Sequence, residues 1–279
     1  MVLKSFAKIN LSLRVNKKLS NGLHNIQTMF CLINLFDEIH IKKLKKSNSD
    51  LISFKGQYSK LIKKRDNSVS RVLQILRKKK LISHFYSIRI IKNIPVFAGL
   101  GGGSSNASTT LKYLLKNKVD KKTQLKIMDN LGTDVRLFLH KLGFVKSLQK
   151  IEKINKKNKL YFLIIFPNII CSTKDIYSRV KKYSKKKSFS KNNFKSSKKI
   201  FDHIFKSKND LQSIVEKRYP KIRQLLSNVR SQRGCYLSRM TGSGSACYGL
   251  FVNEKCSKVA HNLLKKKYPK FWFSIAKTI

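Results

Sequence analysis

Alternation of apolar and polar residues opens the chain. Ala7, Ile9, Leu11, Leu13 and Val15 are interleaved with Lys8, Asn10, Ser12 and Arg14. A period of two predicts a strand over 5–15 and puts Lys8 and Asn10 on one polar face. A polar turn ending at Gly22 leads to a further strand expected over 31–41. The period changes after Asn67. Val69, Val72, Leu73 and Leu76 fall at i, i+3, i+4 and i+7, one face of a helix running to Arg77. Tyr86, Ile88 and Ile90 return to alternation, and Leu111, Leu114 and Leu115 to helical spacing. Another helix is expected over 121–130, stopped by Gly132. Asp134 then stands in the N-cap position of the apolar run 135–139.

The second half reads in the same way. The run 161–166, closed by Pro167, predicts a buried strand, and Thr173 to Val180 predicts a helix. Residues 181–200 are nearly all Lys, Ser, Asn and Phe, too polar to pack well, so a mobile loop or insert is expected. Helices follow over 209–217 and 222–229. Ser238-Arg239-Met240-Thr241-Gly242-Ser243-Gly244-Ser245-Ala246 is rich in glycine and serine, and its plainest reading is a hairpin turn before a strand at 247–251. A helix over 255–267 and a strand over 271–275 end the pattern.

Composition narrows the class. At 279 residues and 41% hydrophobic content, the chain is long enough for one large domain or two smaller ones. Its longest apolar run, 160–166, is far too short to cross a bilayer. The alternating N-terminus lacks the apolar core of a signal peptide. Five cysteines, odd in number and without metal-like spacing, fit a soluble cytoplasmic protein kept reduced. The net charge of +49 invites a nucleic-acid reading. However, only 12 of the 62 basic residues are Arg, and the charge is spread along the whole chain. A dedicated binder concentrates Arg in one patch for bidentate phosphate contacts. The lysine surplus reads instead as compositional drift of AT-rich coding, with a general attraction for anionic substrates. It also leaves only 13 carboxylates, so candidate general bases are few.

The densest chemical signal is Pro95-Val96-Phe97-Ala98-Gly99-Leu100-Gly101-Gly102-Gly103-Ser104-Ser105. It lies between a predicted strand and a predicted helix, with Ser104 and Ser105 where N-caps belong. Bare backbone N–H groups and a helix dipole make such a loop an anion site, and glycine lets a phosphate approach. No Lys follows in the position a P-loop requires, and Ser104 stands where a dinucleotide fingerprint needs Gly or Ala.

This loop resembles the central motif of the GHMP kinases, the family of galactokinase and the homoserine, mevalonate and phosphomevalonate kinases. Three more stretches are similar to that family: Ala7-Lys8-Ile9-Asn10-Leu11 with Gly22-Leu23-His24-Asn25-Ile26-Gln27-Thr28, then Leu131-Gly132-Thr133-Asp134-Val135, and Ser238 to Gly244. Order and spacing look most like the branch acting on a cytidine-diphosphate-linked methylerythritol. The likeness spans nearly the whole chain and is weakest over 42–64 and 140–205. It implies an α+β fold of two domains, 1–150 and 151–279, the first similar to a ribosomal-protein domain, with the active site in the cleft between them. It implies ATP-dependent phosphorylation of a substrate hydroxyl, expected to be the 2-hydroxyl, on the non-mevalonate route to isoprenoid precursors, with Mg²⁺ accompanying ATP. Neither a specific nucleic acid nor a membrane is an expected partner.

By the same resemblance Asp134 is the catalytic base and Lys8 its charged neighbour. Asn10, His24, Phe30, Thr173 and Tyr177 match substrate-holding positions. Asn67, Lys92 and the loop from Pro95 to Ser105 match the ATP side, and Ser105 is a candidate Mg²⁺ ligand. The chemistry is coherent, because phosphoryl transfer needs positioning and charge stabilisation more than covalent steps. A ring at Phe30 or Tyr177 can stack on cytosine. The chain departs from the branch's pattern at four places. Leu23 replaces a Tyr, Phe97 replaces a small residue, Arg136 replaces a Pro, and the glycine-rich segment after residue 140 is missing. An inward-turned Arg136 would lower the Asp134 pKa and weaken the base. The competing readings are another GHMP small-molecule kinase and a basic nucleic-acid-binding protein on a related fold. Asp134 with Lys8 argues against the latter, since a binder needs no carboxylate facing its phosphate loop.

Overall fold

Strand β1 (Val2–Asn10) ends five residues before the alternating pattern does. The Leu11 and Ser12 N–H groups both donate to the Met29 carbonyl, at 2.7 and 3.3 Å. The Ser12 hydroxyl accepts from the Met29 N–H at 3.1 Å, and the Thr28 hydroxyl donates to the Ser12 carbonyl. Such local side-chain bonds compete with a regular ladder, and a new strand, β2 (Arg14–Lys18), begins after them. The computed structural model describes residues 2–63, 65–116, 118–147, 150–155, 159–188, 194 and 196–279.

The order continues with β3 (His24–Lys43), β4 (Leu51–Lys55), α1 (Ser68–Lys78), β5 (Tyr86–Ile91), α2 (Gly102–Leu115) and α3 (Lys121–Leu131). A 3₁₀ turn, Val135–Leu139, leads to β6 (Leu142–Ser147), β7 (Lys150–Lys153), β8 (Tyr161–Phe166), α4 (Thr173–Ser178) and α5 (Ser197–Lys206). Then come α6 (Gln212–Arg218), α7 (Pro220–Arg230), β9 (Cys235–Met240), β10 (Cys247–Phe251), α8 (Glu254–Lys267) and β11 (Trp272–Lys277). The chain forms two compact units. The first is Met1–Lys8, Leu35–Val96 and Gly101–Leu139; the second is Ile9–Asn34, Phe97–Leu100 and His140–Ile279.

In the first unit β4 runs parallel to β5, and β5 pairs antiparallel with the second half of β3. The predicted stripe of α1 is the face that packs: Val72, Leu73 and Leu76 join Ile88 and Ile90 of the sheet and Leu111 and Leu114 of α2 in one core. Each such side chain contributes about 1.5–3 kcal/mol by leaving water. Asn67 caps α1, accepting from the Val69 and Ser70 N–H groups at 3.0 Å while Ser70 returns a bond to the Asn67 N–H.

In the second unit an antiparallel sheet has the order β11-β8-β10-β9. Leu163 and Ile165 of β8 share a core with Ile222, Leu225 and Val229 of α7 and Ala260 and Leu264 of α8. A separate antiparallel ladder joins β2 and β6 to the first half of β3, and β7 to β6. Residues 181–188 form a largely exposed loop without helix or strand, tied down at a few points; 189–193 and 195 lie outside the described residues. The Ser184 N–H donates to Val15, and the Gln27 amide exchanges two bonds with the Lys187 backbone, at 2.8 and 3.0 Å. Phe194 is buried against the rings of Phe144 and His203. One aromatic anchor and a few backbone bonds hold what composition alone marks as too polar. Among the described residues no helix is long and apolar enough to cross a membrane, and all five cysteines are free.

Candidate functional site

The helix at the glycine loop starts earlier than its serines suggest. Gly101, with φ +71°, is the N-cap of α2, and the Ser105 N–H already donates to its carbonyl at 2.9 Å. A left-handed glycine turns the chain tightly enough for the helix to begin at Gly102. The expected capping by Ser104 and Ser105 is therefore corrected. The first-turn N–H groups, those without an intrahelical partner, belong to Gly102, Gly103 and Ser104. Ser105 is buried, and its hydroxyl accepts from Ser5 at 2.8 Å.

Beside this helix mouth lies the Lys8–Asp134 pair. A Cβ on Gly101 would stand 3.0 Å from Lys8 Cγ and 2.9 Å from the Phe138 ring, so the Lys8 stem runs along the bare glycine. Lys8 Nζ is 3.8 Å from Asp134 Oδ2; the lysine side chain is 4% exposed and the carboxylate 39%. Burial pushes the Lys8 ammonium below the usual lysine range, and Asp134 pulls it part of the way back. Arg136 is held on α3, where it donates to the Asp129 carboxylate and to the Leu125 carbonyl at 3.2 Å. Its guanidinium thus has a carboxylate partner one helix away from the base candidate.

Lys92 leaves β5 and is 3% exposed. Its ammonium donates to Asp37 Oδ2 and to Asn106 Oδ1, the latter at 3.0 Å, and lies 3.4 Å from where a Gly102 Cβ would be. Burial lowers the Lys92 pKa, with Asp37 opposing the shift. Asn106 in turn donates to Asp37 Oδ2 at 3.0 Å and to Ser5 at 2.9 Å. Sequence reasoning found Lys92 and missed Asp37, Asn106 and Ser5; the only available signal was the scarcity of acids. Asn67 is at the α1 N-cap, its oxygen engaged by that helix.

In the second unit the two glycine-rich stretches meet. Gly99 has φ +77°, and a Cβ there would fall 2.4 Å from the Thr241 carbonyl. The Ala246 N–H donates to the Ala98 carbonyl at 3.1 Å. The Thr241–Ala246 segment does join β9 to β10 as a hairpin, and it also supports the loop. Asn209, unremarked in the sequence, donates to the Met240 and Gly242 carbonyls at 2.8 Å and fixes that turn. A cavity of about 410 Å³ is lined by Phe97, Gly99, Thr173, Ser243 and Gly244, among others. Phe97, at φ +59° and 54% exposed, forms part of its wall. The Thr173 and Ser243 hydroxyls are 2.9 Å apart.

The remaining substrate candidates separate. His24 and Tyr177 come together, with ring centroids 5.0 Å apart, and Tyr183 lies on the same imidazole at 6.3 Å with planes 29° apart. Burial, then the nearby Lys18, holds the His24 pKa below its ordinary value, which favours the uncharged ring. Asn10 is buried; its amide donates to the Thr28 hydroxyl at 2.8 Å, and its N–H donates to Thr241 at 2.9 Å. Phe30 is wholly buried on Gly143, where a Cβ would lie 2.8 Å from its ring. It packs the core and offers no open face for a base.

The GHMP kinases N terminal domain model matches residues 67–141, and the GHMP kinases C terminal model matches 188–270. The chain is 36% identical to the 4-diphosphocytidyl-2-C-methyl-D-erythritol kinase of Pelagibacter ubique (strain HTCC1062), over 99% of this chain and 98% of that protein. It is 31% identical to the kinase of the same name from Wolbachia pipientis wMel, over 96% and 95%. A solved 4-(cytidine 5'-diphospho)-2C-methyl-D-erythritol kinase matches with a TM-score of 0.75 and 23% identity, over 99% of both chains. Homoserine kinase from Cytophaga hutchinsonii matches at 0.68 with 17% identity, over 100% of this chain and 94% of that one. At these identities the two structures speak for the fold.

Proposed function

The chain belongs to the GHMP kinase family, and we propose that it transfers the γ-phosphoryl group of ATP to the 2-hydroxyl of 4-diphosphocytidyl-2-C-methyl-D-erythritol. The observation that carries this reading is the placement of Lys8 and a part-exposed Asp134 beside Gly101, at the mouth of α2. The Gly102, Gly103 and Ser104 N–H groups receive the phosphates at the positive end of the helix dipole. Asp134 accepts the hydroxyl proton as that oxygen bonds to the γ-phosphorus, and the bond to the bridging oxygen of the departing ADP breaks. Lys8, 3.8 Å from that carboxylate, stabilises charge on the attacking oxygen. Lys92 acts from beneath the helix mouth, and Asn67 sets the start of α1 on the ATP side.

The acceptor half of the reading rests on the second unit. Tyr177 and Tyr183 beside His24 provide aromatic faces and a polar imidazole edge for a pyrimidine. Tyr183 stands in for the aromatic that Leu23 lacks. Asn10 and Thr173 supply polar contacts, while Phe30 acts through packing. Among the described residues no group of three His, Cys, Asp or Glu side chains is arranged to hold a metal, and the Ser105 hydroxyl is engaged with Ser5. These donors fit an Mg²⁺ that arrives on the nucleotide, held by its phosphates and by water, which supplies charge neutralisation. ATP and a nucleotide-linked acceptor fit a cytoplasmic enzyme, with 1–150 bearing the nucleotide loop and 151–279 the C-terminal domain. An ADP-release assay with the cytidyl alcohol, mevalonate and homoserine tests the proposal. Release is expected with the cytidyl alcohol alone; turnover of either other alcohol in its place would overturn it.

A further inference from the structure

Asp37 is wholly buried and accepts four hydrogen bonds, two on each oxygen. Oδ1 takes the Asn93 and Ile94 N–H groups, both at 2.9 Å. Oδ2 takes the Lys92 ammonium and the Asn106 amide. The two oxygens therefore face different parts of the glycine loop. Residues 92–94 are its lead-in, and Asn106 lies in the first turns of α2 on the far side. Between them, Ile94 Cγ2 stands 3.1 Å from where a Gly102 Cβ would be, so the lead-in bears directly on the first residue of the helix. Ser5 extends the network from β1, bonded to both Asn106 and Ser105.

We propose that Asp37 is a positioning residue for the nucleotide: through Lys92 and Asn106 it ties the two ends of the glycine loop together and sets the Gly102–Ser104 N–H groups where phosphate oxygens arrive. This rests on reading the mouth of α2 as the phosphate site. A carboxylate does what a neutral residue cannot at this point. It opposes the loss of charge that burial imposes on Lys92 beneath the helix mouth, and it offers lone pairs to four donors at once. Burial raises the penalty for any bond left unmade, so the arrangement has one geometry rather than several.

Asp37→Asn separates the halves of the network. The retained carbonyl oxygen still serves the Asn93 and Ile94 N–H groups, whereas the new amide nitrogen opposes Lys92 and Asn106. Titration of the folded variant with a non-hydrolysable ATP analogue by calorimetry is expected to show affinity about tenfold weaker. In steady state the KM for ATP should rise by a similar factor, with kcat and the acceptor KM within about twofold. Asn106→Ala, which removes the bonds to Lys92, Asp37 and Ser5 and leaves the ion pair, provides a milder case with a rise of about threefold in the same constant. A folded Asp37→Asn or Asn106→Ala protein that binds the analogue like wild type, however much stability it has lost, overturns the proposal. Wild type that binds the analogue but leaves the cytidyl alcohol untouched overturns the assigned reaction instead, and the binding comparison still decides the role of Asp37.

Discussion

Two lysine–aspartate pairs lie in the first unit, and they differ in nearly every physical respect. Lys92 and Asp37 are both buried, in direct hydrogen bond, with three further donors on the carboxylate. Lys8 is as buried as Lys92, but its partner is 3.8 Å away and Asp134 keeps two fifths of its surface. A closed pair has no spare capacity and can only hold. An open pair has a lysine charge on one side and solvent access on the other, so a carboxylate there can receive a proton and release it again. Residue type is the same in both; burial of the acid decides which pair holds and which can react.

The largest expected effect tests the open pair. Asp134→Asn should lower turnover about 10²–10⁴-fold, the usual weight of general base catalysis, while analogue binding persists; ADP release at saturating substrates measures it. A smaller loss there would place the base elsewhere. Stability should show the reverse order. Breaking a buried pair by Asp37→Ala costs about 3–5 kcal/mol, whereas Asp134→Ala costs about 1 kcal/mol or less, and urea denaturation compares them. Equal losses would erase the distinction between the pairs. Ser5→Ala should fall between, at about 1–3 kcal/mol for the buried Asn106 donor and Ser105 acceptor that lose their partner. The smallest effect is a slope. Lys8 and Lys92 both have folded pKa values pushed below 10.5, first by burial. Between the depressed values and 10.5 the unfolded chain binds more protons, so stability rises with pH across that window. Lys8→Met should flatten part of the rise in urea midpoints taken from neutral to alkaline pH.

Much of this was legible before any coordinate. The α1 stripe, the strand at 161–166 and the hairpin at 241–246 follow from periodicity and glycine, because period and turn chemistry are local properties of the chain even where the packing partners are distant. The kink at Leu11 and Ser12 was not legible, because a strand's period says nothing of side chains bonding to a backbone across the ladder at Met29. Phe30 and Tyr177 looked alike as rings for a base; only the bare Gly143 beneath Phe30 shows that one of them belongs to the core. The glycine loop is marked by its own composition, Lys8 and Asp134 by resemblance, and the structure adds their spacing. Asp37 escaped because nothing local marks it. Its partners at 92–94 and 106 are more than fifty residues away in sequence. Tyr183 escaped because a lysine-rich background hid one ring.

Gly101 has a consequence for how variants of this enzyme are sorted. A single hydrogen there separates the start of α2 from the stem of Lys8. In the proposed mechanism, exchanging it for a methyl group sends the same displacement to the nucleotide and the attacking oxygen together. Kinetic defects at this position cannot be divided between donor and acceptor, because the two share one atom's width of clearance. Substitutions farther along the loop regain that division, so the ratio of donor to acceptor defects becomes a ruler whose zero is at residue 101.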